Sequence, residues 1–426
     1  MKKIIIIGAG ITGLTSGIFL LKKGYEVSIY EKNDFAGGFC TGWIKNGIYI
    51  DNCMHWLTGT NQYTKTFKMW KSVGAISETS NLYQGDYFYK SIYNDSEICL
   101  YKDLEKLRTT MLSISIEDKK EIDSFVNTVI NFTKIQQDMS GFENLFNKPV
   151  YYLKSYFKYR HLSIEDLSKR FKHPLLKKLF TDFLPKEYSS LALIYAYATF
   201  ASGNGKVYSK GSKAFAENIL NKFISLGGFI HFKSEVTSVS LKNDKVESIT
   251  INNNEIITGD KFIFTNSPKN IFDNLIDQSY MPKLLKEKFS KKDIFPIYSS
   301  FHIAFKLKKK HNSFKESTIF EINPIKVGTS YINRLMIKDY TYLYPNKSDT
   351  VIQAFIIQNE DDYHYWENLY NKDHEEYIKR KDEVSDKIKL ELISLYKELE
   401  ESISILDSWT PYTYTLYYNS YVGSYM

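Results

Sequence analysis

The run Lys3-Ile4-Ile5-Ile6-Ile7, followed at once by Gly8-Ala9-Gly10-Ile11-Thr12-Gly13, constrains this chain more than any other feature. A short, unbroken β-branched run reads as a parallel strand buried on both faces. From Leu14 to Lys23 the pattern turns helical, with Leu14, Ile18 and Leu21 on one side and Gly24 placed to end the helix. Tyr25-Glu26-Val27-Ser28-Ile29-Tyr30 reads as a second strand, and it stops at Glu31. Strand, glycine turn, helix, strand and acid thus follow one another within about thirty residues, the span of one βαβ unit.

Each part of that unit has a physical task in holding a dinucleotide. Gly8 permits the tight turn, Gly10 lets the backbone approach a diphosphate, and Gly13 lets the helix pack closely on the strand. The free N–H groups at the helix start, with the helix dipole behind them, favour an anion. Glu31 is placed to accept hydrogen bonds from ribose hydroxyls. A glycine-rich turn in some other α/β domain would leave Glu31 unexplained.

Lys32-Asn33-Asp34-Phe35-Ala36-Gly37-Gly38 continues directly from the acid. This entry resembles that of the flavin amine oxidase and phytoene desaturase superfamily, which binds FAD. In that superfamily the Gly-Gly turn passes along the diphosphate on its flavin side. Many members carry an arginine next; this chain has Phe39-Cys40-Thr41, which removes one expected phosphate contact. The segment from Gly47 to Gly59 is also similar, and by that resemblance Asp51 and His55 lie beside the flavin ring. A second block, Lys210-Gly211-Ser212, a helix bearing Phe215, Ile219, Leu220 and Phe223, then Gly227-Gly228, resembles the family's second cofactor-contacting segment. There a valine contacts adenine through its backbone, and Val236 is the matching position. A third block, Trp409-Thr410-Pro411-Tyr412-Thr413 followed by Gly423-Ser424-Tyr425-Met426, is similar to the Thr-Pro-x-Thr segment and Gly-Ser turn of the phytoene desaturase and carotenoid isomerase branch.

The resemblance implies an α/β fold: a Rossmann-like, glutathione reductase-type FAD-binding domain with an inserted α+β substrate domain. The expected division is 1–64, 205–290 and 404–426 for the cofactor domain, and 65–204 with 291–403 for the substrate domain. The cofactor-binding set it implies is Gly8, Gly10, Ile11, Thr12, Gly13, Glu31, Lys32, Gly37, Gly38, Phe39, Asp51, His55, Val236 and Asn266. The family continues past the Gly-Ser turn into a strand, a glycine turn and a helix, so this sequence is expected to be a piece of a longer chain.

Between these blocks the pattern is less specific. Helical periodicity runs over Asp118 to Ile135, Ser163 to Phe171, Pro174 to Phe183 and Ser189 to Phe200. Strands are expected from Phe229, from Glu235, and over Val246 to Ile251 with Glu255 to Thr258 as a hairpin across Asn252-Asn253-Asn254. A buried strand is expected over Asp260 to Asn266. Further strands are expected over Ile297 to Leu307, Ile319 to Asn323, Tyr340 to Tyr344 and Thr350 to Ile357, forming a mixed sheet. Val384 to Ser402 reads as an amphipathic helix.

Flavins carry their own redox chemistry, so no catalytic side chain is required. His55 is the one candidate, because of its expected place beside the ring; the competing reading is a hydrogen-bonded core histidine. Cys40 and Cys53 read as buried thiols rather than as points of flavin attachment. His161, His173, His302 and His364 lack metal-ligand spacing, so no metal site is expected. No Cys-x-x-Cys pair exists, which argues against the disulfide-reducing flavoproteins. Only five of 56 basic residues are arginine and the lysines are spread among 49 acids, so the net charge of +7 does not read as a nucleic-acid face. Peripheral contact with a membrane remains compatible with that charge. No signal peptide or 18-residue apolar run is present, and the three cysteines suit a reducing cytoplasm. Oligomeric state is not readable.

The 34 tyrosines and 28 phenylalanines suit a long apolar tunnel, or a plain compositional bias. The family resemblance implies an FAD-dependent oxidoreductase that desaturates, saturates or isomerises C–C bonds of an apolar polyene or lipid. The alternatives are an amine oxidase-like flavoenzyme and a non-catalytic flavin-binding or membrane-associated protein.

Overall fold

The computed structural model describes residues 1–136, 150–309, 311, 314–345 and 348–424. Tyr425 and Met426, part of the expected terminal turn, lie outside the described residues. Strand β1 (Lys3–Ile7), helix α1 (Ile11–Lys22) and strand β2 (Glu26–Tyr30) form as their pattern predicts. β1 and β2 pair in parallel, and the sheet is completed by strands Phe229–His231 beside β2 and Lys261–Phe264 beside β1.

Alternation along β1 explains its run of isoleucines. Successive side chains point to opposite faces. Ile4 and Ile6 pack with Leu14 and Ile18 of α1 and with Phe215, Ile219 and Phe223 of α2 (Gly211–Ser225). Ile5 and Ile7 pack with Ile249 and Ile251 of an antiparallel three-stranded meander on the other face. The strand Lys261–Phe264 is only half-buried, contrary to expectation, because it forms the sheet edge.

A seven-stranded mixed sheet forms the second body of the structure. Its order is Ile403–Trp409, Ser299–Leu307, Thr350–Gln358, β3 (Ser330–Asp339), Ser317–Val327, Tyr87–Tyr93 and Ser96–Tyr101. Only the contact between Ser317–Val327 and Tyr87–Tyr93 is parallel. One face packs on helices Lys119–Gln136, Pro174–Thr181 and Ser190–Ala201; the other packs on Glu360–Lys372 and His374–Leu395. In β3, Leu335 and Ile337 join the second of these cores, while Met336 and Lys338 face the first.

Two expectations need correction. Tyr340 to Tyr344 is not a strand: residues Thr341–Leu343 form a 3₁₀ turn. The Asp339 carboxylate accepts from the Thr341 amide at 2.8 Å and from its hydroxyl, which offers the backbone a turn instead of a ladder. The helix expected from Val384 begins ten residues earlier, at His374 behind an Asp373 cap, and ends at Leu395. Strand β3 and helix Glu360–Lys372 were not anticipated. Among the described residues, no helix is long and apolar enough to cross a membrane.

Candidate cofactor and substrate cavities

A cleft of about 830 Å³ opens at the carboxyl ends of β1, β2 and Lys261–Phe264. This is where ligands sit in open α/β sheets. Its walls bring together most of the residues picked out by sequence. Gly8, Gly10, Ile11 and Thr12 come from the first turn; Glu31 and Lys32 follow β2. Gly37, Gly38 and Phe39 form a third side, and Val236 and Asn266 a fourth. Tyr418, Asn419, Ser420 and Ser424 also reach it, although sequence singled out none of them individually.

The glycine turn is built for approach. Gly8 has φ +99°, a conformation L side chains rarely adopt. A Cβ on Gly13 would run into the Gly8 carbonyl, so Gly13 lies behind the cleft and allows the helix to seat. A Cβ on Gly10 would meet no protein atom within 4 Å. Space is therefore left in front of Gly10, where α1 begins without a side-chain cap. Its first N–H groups stay available to an anion.

Glu31 is buried and braced. Its Oε2 accepts from the Ala9 amide at 2.8 Å and its Oε1 from the Asn33 amide at 3.0 Å. Each carboxylate oxygen can accept more than one donor, so capacity for ribose hydroxyls remains. Lys32 donates to the Leu416 carbonyl at 2.9 Å, and burial lowers its pKa. Asn266 Oδ1 is buried with no hydrogen-bond partner. A buried acceptor left unpaired is costly, and a ligand donor in the cleft would relieve it. At Val236 the pairing with the next strand shifts register, which disturbs the ladder beside the cleft. The open space at Gly10, the carboxylate at Glu31 and the orphaned Asn266 oxygen together fit an adenine dinucleotide.

Asp51 does not line this cleft. It is buried and organises the turn behind it. Its carboxylate accepts from the Ser212 amide at 2.6 Å, the Ser212 hydroxyl at 2.7 Å and the Cys53 amide at 3.1 Å. Ser212 Oγ is also 2.9 Å from the Met54 amide. Asp51 thereby ties the loop that carries His55 to the first turn of α2. The Lys210-Gly211-Ser212 block supplied the signal for the second half of this link.

His55 lines a different space, an apolar cavity of about 400 Å³. Trp56, Leu57, Trp70, Phe183, Phe215, Met336 and Phe355 are among its walls. Ile11, Phe39, Cys40 and Cys53 line both this cavity and the cleft, so the two adjoin. Phe39 is held by Tyr418, with ring centroids 4.8 Å apart. The His55 ring stands edge-on to Phe355 at 5.6 Å. Burial, then the charge of Lys338, lower its pKa well below the ordinary range, so the ring is neutral. Cys40 is raised by its contact with Cys53 and by burial, which keeps it a thiol.

Lys338 was missed by sequence reasoning. Its side chain is buried on β3, with Nζ 3.3 Å from the Met54 carbonyl. Burial lowers its pKa to about 8, against the opposing pull of Asp51 and Glu316. No group of His, Cys, Asp and Glu among the described residues could hold a metal ion.

Comparison with known proteins places this geometry. The profile of the family described as flavin containing amine oxidoreductase matches residues 11–425. A 4,4'-diaponeurosporene oxygenase of Staphylococcus aureus is 23% identical over 276 residues, which cover 62% of this chain and 55% of that protein. The chain thus spans about half the length of the curated relatives it matches. An oxidoreductase from Methanosarcina mazei superposes with a TM-score of 0.64 at 14% identity, over 96% of this chain and 88% of that one. Putrescine oxidase bound to putrescine superposes with a TM-score of 0.57 at 12% identity, over 95% and 84%. These two likenesses show the shared fold. The chain belongs to the flavin-containing amine oxidoreductase family, a family of FAD-dependent oxidoreductases.

Proposed function

We propose that this protein uses FAD to add, remove or rearrange hydrogen at C–C bonds of an apolar polyene or lipid-like substrate. The observation that carries this reading is the aromatic and aliphatic cavity beside the cleft, meeting it at Phe39, Cys40 and Cys53. The carotenoid-type substrate of the relative from Staphylococcus aureus supports it from outside the structure. When bound, FAD would supply the hydride acceptor or donor.

The chain's own residues have separable tasks in this reading. The uncapped start of α1 and the space before Gly10 hold the diphosphate. Glu31 would take the ribose hydroxyls, the Val236 backbone would serve the adenine, and Asn266 Oδ1 would accept a cofactor donor. Gly37, Gly38, Phe39, Ile11 and Thr12, which line the cleft, would hold the remainder of the cofactor. Asp51 acts through Ser212 as a positioning residue. Neutral His55 shapes the cavity wall, and Trp56, Phe183 and Phe355 exclude water from it.

We take 1–64, 205–290 and the segment after Trp409 as the cofactor domain, and 65–204 with 291–409 as the substrate domain. Strand Ile403–Trp409 pairs with the large sheet, which favours that later boundary over residue 404. Peripheral membrane contact has support at one surface: Leu284, Ile294 and Phe295 are exposed among Lys283, Lys286 and Lys288. Such a face suits an anionic bilayer.

An anaerobic screen tests the function. Purified protein with FAD is mixed with polyene, lipid, amine and NAD(P)H candidates, and bleaching of the flavin bands is followed. Bleaching by a polyene, or reoxidation of reduced flavin by one, supports the proposal. Bleaching by amines alone replaces it with the amine-oxidising reading. A bound flavin that nothing reduces makes the protein a non-catalytic flavin binder.

A further inference from the structure

We propose that the substrate carries a hydroxyl group, read by a small polar cavity beside the apolar one. This rests on the apolar cavity being the substrate site. The polar cavity measures about 40 Å³. That is room for about three waters, or for a hydroxymethyl end. It shares His55, Trp56 and Phe183 with the apolar cavity, so a chain lying in one reaches the border of the other.

The side chains here leave an acceptor without its donor. Gln84 Nε2 donates to the Phe200 carbonyl at 2.7 Å, which fixes the amide's orientation. Its Oε1 is then buried with no hydrogen-bond partner. Native structures rarely leave such an atom unpaired unless a ligand or water completes it. Beside it stands Glu316, which accepts the Tyr83 hydroxyl. A Cβ at Gly85 would run into the Glu316 carboxylate, so a glycine keeps this wall from closing. Asp339 and Lys338 complete the polar lining.

The donor set selects among end groups. A hydroxyl donates one hydrogen bond and accepts two. It can donate to Gln84 Oε1 and accept from Lys338, whose ammonium has three donors and a single long bond to Met54. An ammonium would bring a second cation against Lys338 and accept nothing from it. A hydrocarbon end would satisfy neither group. Burial raises the Glu316 and Asp339 carboxyls above their ordinary range, Asp339 to about 6, and Glu316 is already engaged by the Tyr83 hydroxyl.

The test uses the full chain with its flavin and three tritiated C20 isoprenoids: geranylgeraniol, geranylgeranylamine and the hydrocarbon of equal length. Retention of each is measured by equilibrium binding, which needs no turnover. The alcohol is expected to bind about tenfold more tightly than the hydrocarbon, the worth of one or two buried hydrogen bonds. Gln84→Leu should remove most of that preference, while Glu316→Gln, which still accepts from Tyr83, should keep it. Equal binding of alcohol and hydrocarbon, tighter binding of the amine, or retention of none of the three overturns the inference. The wild-type comparison stands even if Gln84→Leu fails to fold. An alcohol that binds selectively without any flavin bleaching supports this site and counts against the redox reading above.

Discussion

Gly10 and Gly13 lie three residues apart in one turn, yet the structure assigns them opposite sensitivities. Gly10 has φ −66° and ψ 175°, which alanine adopts freely, and its Cβ would meet no protein atom. Gly10→Ala should therefore change folding stability by less than about 1 kcal/mol, the ordinary range for a helix N-cap change of this kind. The methyl would project into the space assigned to the diphosphate. Pushing that group away would cost one or two charge-assisted hydrogen bonds to the start of α1, about 2–4 kcal/mol, or roughly 30- to 1,000-fold in FAD affinity. Gly10→Asp should do more, since it adds a negative charge. Gly13→Ala should fail differently. Its Cβ would press on the Gly8 carbonyl and stand 3.2 Å from Thr265 Oγ1. Thr265 Oγ1 itself donates to the Ile7 carbonyl at 2.8 Å, so little there can yield. Overpacking of this kind costs about 1–3 kcal/mol and should lower the melting temperature as well as flavin binding. Deflavinated proteins are titrated with FAD, following flavin fluorescence, and each variant is unfolded in urea. Gly10→Ala binding FAD like wild type would refute the placement of the diphosphate. Gly13→Ala as stable as wild type would refute the packing argument.

Other outcomes follow from the cavities. Asp51→Ala removes the acceptor for the buried Ser212 amide and the part-buried Cys53 amide; leaving them unpaired should cost about 2–4 kcal/mol in urea unfolding, with Asp51→Asn costing less. Lys338 titrates near 8 when folded and near 10.5 when unfolded. The unfolded chain then binds more protons between those values, so wild type should gain stability over Lys338→Met as pH rises from 8 to 10.5, by up to about 3 kcal/mol. A flat difference across that window would contradict the buried, depressed lysine. His55 is held neutral, so substrate-driven bleaching should show no step near pH 6.5 that His55→Gln removes. Vesicles rich in phosphatidylglycerol should sediment the protein better than phosphatidylcholine vesicles, and Leu284→Ser with Phe295→Ser should weaken that; equal sedimentation rejects the membrane face.

The parts legible in the sequence were those whose cause is local. The isoleucine run, the glycine turn and Glu31 encode strand, approach and acid within one unit, and they meet at one cleft. The hairpin across Asn252-Asn253-Asn254 was equally readable, since Asn252 and Asn253 take the positive φ values asparagine tolerates. Asp51 binds Ser212, 161 positions away, and no local pattern encodes that partner. Lys338 occupies an inward position of β3, where a lysine reads as a surface residue until the strand is placed. The aromatic run at Tyr340 has strand propensity, yet one side-chain bond from Asp339 turns it. Helix Glu360–Lys372 did carry a signal: Asn359 and Asp362 form a capping box.

The parallel sheet also has a consequence in time. β1 pairs with Lys261–Phe264, some 257 positions later in the chain. At about 5–20 residues per second, synthesis leaves an interval of roughly ten seconds to a minute before that partner exists. Until then β1 offers an open edge of isoleucines with nothing beside it on that side, and such edges invite pairing with other chains. Cofactor loading is bound to the same clock, because the wall bearing Asn266 and the one bearing Tyr418 are made late. A newborn chain of this protein therefore passes through a sticky, flavin-free period set by its topology, during which a holding chaperone would raise the yield of active protein.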